Sequence, residues 1–280
     1  MTDTHTAAPS QWMVQTKRAD FSGIAQKYGI TPVTARIIRN RGVVEDEEIR
    51  RYLTGDLEDM YSPWLLPDME KAAAIIKQKT EAGASIRVVG DYDIDGVCAT
   101  YILLTALKEI GARGDYRIPD RIKDGYGINE AIIRQAAEDG IDTILTCDNG
   151  IAAVEQITLA KELGMTVIVT DHHDIQKTED GKDILPLADA VVNPKRQDSR
   201  YPYPDICGGM VAYKLMRALY ERYEIPLKKW ENMLEFAAIA TVGDVMKLQD
   251  ENRIAVKAGL KRIACSANPG LRSLIEKNNL

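Results

Sequence analysis

After Asp68 the chain alternates short strand-length segments with helix-length ones, and no other feature narrows the fold as much. Residues 86–90, 115–118, 143–146, 166–170 and 190–192 read as strands. Residues 69–81, 96–110, 129–138 and 152–163 read as helices, three of them closed by Gly111, Gly140 and Gly164. Strands separated by helices of that length cannot pair through tight hairpins. They pair in parallel, through right-handed crossovers. The strands read as apolar throughout, as when helices cover both faces of a sheet. The predicted fold class is α/β, an open, mostly parallel sheet flanked by helices. A small helical lead-in precedes it, and a helical segment over 211–223, 230–239, 252–263 and 269–275 follows.

The lead-in begins with a polar stretch, residues 1 to about 18, which includes His5 and has no basic-then-apolar leader pattern. Between 21 and 61 the apolar spacing is helical. Thr31-Pro32 reads as a cap followed by a first-turn proline, and Asp46-Glu47-Glu48 place acid where a helix dipole favours it. Ser62-Pro63-Trp64 and Leu66-Pro67-Asp68 break that pattern, so the expected domains are 1–68 and 69–280. Arg36, Arg39, Arg41, Arg50 and Arg51 read as a solvated helix face rather than a phosphate track, because Glu45 to Glu48 interrupt them.

The 42 acidic residues outnumber the 36 basic ones, so the whole-chain basic signature of a nucleic-acid binder is missing. Carboxylates around metal ions count as negative in that sum until they are loaded. Cys98, Cys147, Cys207 and Cys265 stand apart and read as reduced thiols of a cytosolic protein. No apolar run is long enough to cross a bilayer. The expected location is cytoplasmic, with no membrane partner.

Polar residues concentrate at the ends of strands. Asp91, Asp93 and Asp95 follow 86–90, Asp148 follows 143–146, and Asp171-His172-His173 follow 166–170. In an open parallel sheet those ends face one edge, where such folds bind ligands. A lone Asp after a strand is commonly a helix cap or turn former, and Asp95-Gly96 and Asp148-Asn149-Gly150 fit that role too. Economy argues for a site, since two of the three histidines sit together after a strand and an acid. Three close carboxylates also repel one another unless a cation lies between them. Oxygen ligands with imidazole and no thiolate cluster suit magnesium or manganese, and the histidine tilts the choice towards manganese. The surplus of acids points to two ions, which suits phosphoester hydrolysis.

Four segments resemble, in order, the motifs of the DHH phosphoesterase superfamily: Gly90-Asp91-Tyr92-Asp93-Ile94-Asp95-Gly96, Cys147-Asp148-Asn149-Gly150-Ile151, Thr170-Asp171-His172-His173 and Thr241-Val242-Gly243-Asp244. The flanks resemble the RecJ-like single-stranded-DNA-specific exonucleases within it. They are Leu65 to Met69, Arg117 to Arg121, Gly125 to Asn129, Tyr201-Pro202, Cys207-Gly208, Val211 to Leu215, Glu251-Asn252-Arg253 and Gly259-Leu260. Met210 departs from the pattern, standing where a small residue is often found. The resemblance covers roughly residues 40–280.

That likeness implies a 5′→3′ exonuclease core acting on single-stranded DNA in repair and recombination. It implies that Asp93, Asp95, Asp148, His172 and Asp244 bind two ions, with Asp148 between them and Asp91 close by, as a sixth ligand or as an acid just outside the ligands. Asp171 would orient the histidines, and His173 would face the scissile phosphate. Arg121 would contact phosphate or stand as a solvated loop arginine. Tyr126 would stack on a base or pack in the core. Single-strand-binding protein and a recombination helicase are the partners implied. RecJ enzymes carry a second domain with a glycine-rich histidine motif; nothing here resembles it, so a truncated form is expected. The alternatives are another DHH phosphoesterase, acting on short oligonucleotides, cyclic dinucleotides or pyrophosphate, and a non-catalytic nucleic-acid-binding fragment.

Overall fold

A computed structural model describes Met13 and residues 17–279, so His5 and most of the polar stretch at 1–18 lie outside the described residues. The chain divides into two compact units, Met1–Gly55 and Asp56–Leu280. In the first, α1 (Phe21–Tyr28), α2 (Pro32–Asn40) and α3 (Asp46–Thr54) surround a small core of Ile38, Val43, Ile49 and Tyr52. Thr31 caps α2 by accepting from the Thr34 N–H at 3.1 Å, with Pro32 in the first turn. Among the arginines of this unit, Arg36 lies 4.5 Å from the Phe21 ring and Arg50 is paired with Glu47 at 2.6 Å.

The second unit alternates as the sequence pattern requires. Its elements run α4 (Met69–Glu81), β1 (Ser85–Val89), α5 (Ile94–Glu109), β2 (Arg113–Arg117), α6 (Glu130–Glu138), β3 (Thr143–Cys147), α7 (Val154–Glu162), β4 (Thr166–Thr170) and β5 (Ala190–Val192). Four helices follow: α8 (Gly208–Arg222), α9 (Leu234–Gly243), α10 (Asp250–Ile263) and α11 (Pro269–Lys277). The segment expected as one helix at 230–239 divides into a 3-10 turn, Leu227–Met233, and α9.

All five strands pair in parallel in the order β2-β1-β3-β4-β5. Val88, Leu145, Ile168 and Ala190 form one row across the sheet and belong to the core that also holds buried residues of α4, α5, α8 and α9. Ile144, Val167, Val169 and Val191 point the other way, into the core shared with α6 and α7. Both faces of β3 and β4 are therefore covered, which explains their unbroken apolar text.

Strand β2 is the correction. Its sequence, Arg-Gly-Asp-Tyr-Arg, is exposed along its whole length, because it is an edge strand paired only with β1. Charge on an edge discourages pairing with another chain. Here it is also used: Arg87 of β1 grips Asp115 of β2 through two bonds of 2.8 and 2.6 Å and reaches Asp139 at 2.8 Å.

The segment 56–68 carries Met60 and Leu66 into the larger core. It also supplies the Tyr61 carbonyl, which accepts from Lys214 Nζ at 2.7 Å. Lys214 and Glu251 are both wholly buried and meet at 2.7 Å, and the Tyr201 hydroxyl donates to the other Glu251 oxygen. Truncating one partner leaves a buried charge uncompensated, at a cost of about 3–5 kcal/mol. Glu251→Ala is expected to lose that much stability in urea unfolding, and adding Lys214→Met should recover most of it. A loss below about 1 kcal/mol in the single variant would contradict the account.

Candidate metal centre

The site is built from the ends of β1, β3 and β4, which are adjacent in the sheet. After β1 the chain places three carboxylates in three different environments. Asp91 is buried and its Oδ1 faces the Gly127 N–H at 3.4 Å. Asp93 caps α5, accepting from the Gly96 N–H at 2.9 Å. Asp95, in the first turn of α5, accepts from the N–H groups of Gly208 and Gly209, both at 2.7 Å. The capping role considered for Asp95 thus belongs to Asp93, and Asp95 instead receives the start of α8. The two N–H groups and the positive end of that helix hold the side chain in place. Glycine is required at this junction. A Cβ on Gly208 would lie 2.6 Å from Asp148 Oδ1, and one on Gly209 would lie 2.5 Å from the Ala240 Cβ.

Asp148 adopts a left-handed backbone, φ 60°, and Gly150 follows at φ 109°. Asp and Asn enter that region more readily than other side chains. The Asp148 N–H is tied to the Thr170 carbonyl at 3.1 Å, which sets the turn against the end of β4. The turn reading of Asp148-Asn149-Gly150 therefore holds, and the turn leaves an Asp148 oxygen within 4.8 Å of oxygens of Asp91 and Asp93.

Asp171, like Asp95, has a donor on each oxygen, and it carries more of them. Its Oδ1 accepts from the N–H groups of His172 and His173 at 2.7 and 3.1 Å and faces His173 Nδ1 at 2.7 Å; its Oδ2 accepts from the Ile151 N–H at 2.9 Å. Burial works against this carboxylate, but the His173 ring and the backbone donors outweigh it and hold it below the usual range. An ionised carboxylate can only accept, so His173 donates through Nδ1 and presents Nε2 outward, 3.1 Å from the Tyr126 hydroxyl. The bond to Asp171 raises the His173 ring above its ordinary value.

His172 faces inward. Its Nε2 lies 3.1 Å from Asp148 Oδ1 and 3.6 Å from both Asp95 Oδ2 and Asp244 Oδ2. Burial lowers its pKa, which keeps the ring neutral and its lone pair available. Asp244 arrives from the end of α9. Three groups of ligand atoms each fall within 4.8 Å: Asp91, Asp93 and Asp148; Asp95, His172 and Asp244; Asp148, His172 and His173. The six residues expected to bind metal all fall in these groups, and Asp148 and His172 are each shared by two.

Asp91 Oδ2, Asp148 Oδ1 and both ring nitrogens of His172 are buried without a hydrogen-bond partner. Buried acceptors left in that state are costly unless something satisfies them. Burial, then Asp95 and Asp93, push the Asp148 carboxyl far up; burial likewise raises Asp91 and Asp244. Divalent cations would satisfy the two carboxylate oxygens and the lone-pair nitrogen of His172 at once, and an oxygen-rich set with one imidazole fits manganese or magnesium.

Of the residues expected to meet substrate, Tyr126 stands at the rim, 56% exposed, which removes the core-packing alternative. Arg121 is exposed, with its guanidinium 5.3 Å from the Tyr92 ring, and Tyr92 meets Tyr126 edge-on at 6.3 Å. Tyr92, Asn149 and Gly208 were not assigned roles by sequence reasoning. Only the last had a signal, a glycine pair opening a helix.

The strongly raised Asp148 carboxyl keeps a proton that a cation must displace, and Asp244 is shifted in the same direction. Manganese binding should therefore release protons and tighten as pH rises. For the same reason the metal-free protein should lose stability as pH climbs from the ordinary carboxylate value of 3.8, since the folded state holds the extra protons. Calorimetric titration in two buffers of different ionisation enthalpy, with melting curves from pH 5 to 8, checks both. Proton-independent binding would contradict the geometry.

Residues 85–241 match the DHH family, N-terminal domain. The chain is 38% identical over 271 residues to the single-stranded-DNA-specific exonuclease RecJ of Bacillus subtilis, covering 96% of this chain and 33% of that protein. It superposes on RecJ from Thermus thermophilus in complex with Mn2+ with a TM-score of 0.74 at 31% identity, covering 92% of this chain and 35% of that one. The Mg2+ complex of that protein gives 0.64 at 29%, covering 92% and 32%. The chain spans about a third of the length of these relatives. Its sheet, its motif order and its match over 85–241 agree: the chain belongs to the DHH family.

Proposed function

We propose that this chain is a two-metal phosphodiesterase, the core of a 5′→3′ exonuclease that acts on single-stranded DNA in repair and recombination. The observation that carries the reading is the convergence of buried, unpartnered ligand atoms from Asp91, Asp148 and His172 on one small space. Asp93, Asp95, Asp148, His172 and Asp244 hold the two ions, manganese by preference and magnesium as the other candidate, with Asp148 shared and Asp91 beside them. The ions supply Lewis acidity for in-line attack at phosphorus. Asp171 fixes the His173 ring, and His173 faces the scissile phosphate and stabilises charge developing there. Asp148, Asp171 and His173 are thus the catalytic set, while Arg121 and Tyr126 contact the strand at the rim.

Polarity and DNA preference rest on the likeness to proteins named as single-stranded-DNA-specific exonucleases. Single-strand-binding protein and a recombination helicase are proposed partners on the same ground. A cytoplasmic location is supported by four free cysteines. No helix among the described residues is long and apolar enough to cross a membrane.

A hydrolysis panel of labelled single strands, dinucleotides and pyrophosphate, run with manganese, tests the reading. Single strands should be degraded from the 5′ end fastest; preference for dinucleotides or pyrophosphate would overturn the exonuclease assignment. His173→Ala should lower kcat about 10²–10³-fold with little change in manganese affinity. Asp171→Asn should weaken metal binding or activity about 10–100-fold by freeing the ring.

A further inference from the structure

The ligand groups of the metal centre draw no residue from the first unit, Met1–Gly55. Within that unit α1 gives way to α2 across a three-residue turn, Gly29-Ile30-Thr31, in which Gly29 takes a left-handed φ of 64°. Ile30 packs back on the core with Ile24 and Tyr28 of α1, and α2 buries Ile38 there. The remaining buried residues of the two helices are Ala25 and Ala35, whose size permits a close crossing. Helix α3 completes the core with Ile49 and Tyr52. Two short helices joined by a glycine-led turn, with a third behind them, form a helix-turn-helix arrangement. We propose that this unit binds duplex DNA, with α2 lying in the major groove.

Shape alone does not carry the assignment; charge and exposed surface do. Residues 17–44 hold six cations, Lys17, Arg18, Lys27, Arg36, Arg39 and Arg41, against a single acid, Asp20, in a chain that is acidic as a whole. Asp20 is engaged in capping α1, accepting from the Gly23 N–H at 2.8 Å. The acids that interrupt the arginines further along are engaged away from α2. Asp46 accepts from the Tyr28 hydroxyl at 2.9 Å and pairs with Lys27 at 2.5 Å. Glu47 pairs with Arg50, and one Glu48 oxygen accepts from the N–H groups of Val44 and Glu45. Helix α2 itself contains no acid.

The outer face of α2 suits base edges. Val33 and Ile37 stand one turn apart and are 68% and 50% exposed, and the exposed Arg36 and Asn40 extend the same face. In the major groove an apolar side chain meets the thymine methyl, arginine meets guanine and asparagine meets adenine. The Phe21 ring, 4.5 Å from the Arg36 guanidinium, steadies that side chain. Lys17 reaches the Asn40 carbonyl at 3.4 Å, so it joins Arg39 and Arg41 near the end of α2, where flanking phosphates would lie. Duplex RNA fits less well, since its major groove is too deep and narrow for side chains to read. Such a unit would retain a nuclease for single strands beside the duplex from which its substrate extends.

The test uses the full chain with manganese and a labelled DNA dumbbell, a duplex closed at both ends that offers no terminus to degrade. Binding is then read apart from hydrolysis, so it stands or falls independently of the phosphodiesterase reading. With about four phosphates contacted, affinity should be micromolar and fall about 100-fold between about 50 and 200 mM salt. Arg36→Glu should weaken binding about tenfold or more. Lys228→Glu, the same charge change at an exposed site of the second unit, should leave it within about twofold. Should the first variant fail to fold, Ile37→Ala with Asn40→Ala removes groove contacts without adding charge and should cost a similar factor. Failure to bind the dumbbell, equal losses from the two charge reversals, or equal affinity for an RNA duplex of the same sequence overturns the proposal.

Discussion

The arrangement of the site follows from one topological fact: β1 is paired on both sides, with β2 on one flank and β3 on the other. The chain leaves β1, crosses to the sheet edge for β2, then returns past β1 to lay down β3, β4 and β5. At such a reversal the loops after neighbouring strands part in opposite directions and open a crevice. The acids after β1 and Asp148 after β3 stand on its two sides, and the Asp171-His172-His173 turn after β4 closes it. Had the strands followed chain order, β2 would have separated Asp93 from Asp148 by a full strand spacing, about 4.8 Å more.

Gathering so many carboxylates is unfavourable in a buried place, and the fold meets that cost unevenly. Asp171 has donors on both oxygens and is held ionised. Asp95 has the two N–H groups that open α8. Asp91 and Asp148 each keep a buried oxygen with no donor, and their carboxyls are pushed up. Two acids of one type, both buried at the ends of adjacent strands, have thereby been given opposite proton affinities. The satisfied one can only orient its neighbours. The unsatisfied one needs a cation, or its own proton, to be stable.

Much of this was legible in the text of the chain, and the failures have physical reasons. The strands at 166–170 and 190–192 and the helix at 69–81 stand at the expected bounds, because apolar runs between glycine or proline breaks leave little freedom. Strand β2 defied the expectation of apolar strands because edge position is a property of the assembled sheet. The site residues could be listed from their place after strands, since that depends on local order alone. Their hydrogen-bond partners could not. The bonds from Gly208 and Gly209 to Asp95 join residues more than a hundred positions apart, and no local pattern announces them. The cap role went to Asp93 rather than Asp95 for a similar reason, since only α8 explains why Asp95 turns inward.

Asp244 shows how such a distant contribution is enforced. Helix α9 ends just before it, and the chain reverses at Val245, whose φ of 54° is left-handed. A β-branched residue is a poor choice there, where glycine is usual. The turn is held by bonds from Val245 N–H to the Val242 carbonyl and from Met246 N–H to the Thr241 carbonyl, both at 3.1 Å. Strain of this kind persists where surrounding structure over-determines it. Here the constraint comes from below, where Gly243 sits so close to Ile94 that a Cβ would approach within 2.2 Å. Helix α9 thus packs directly on the start of α5, and the sharp reversal leaves the Asp244 carboxylate 3.6 Å from His172 Nε2. The strained backbone and the metal-ligand geometry are two sides of one packing constraint.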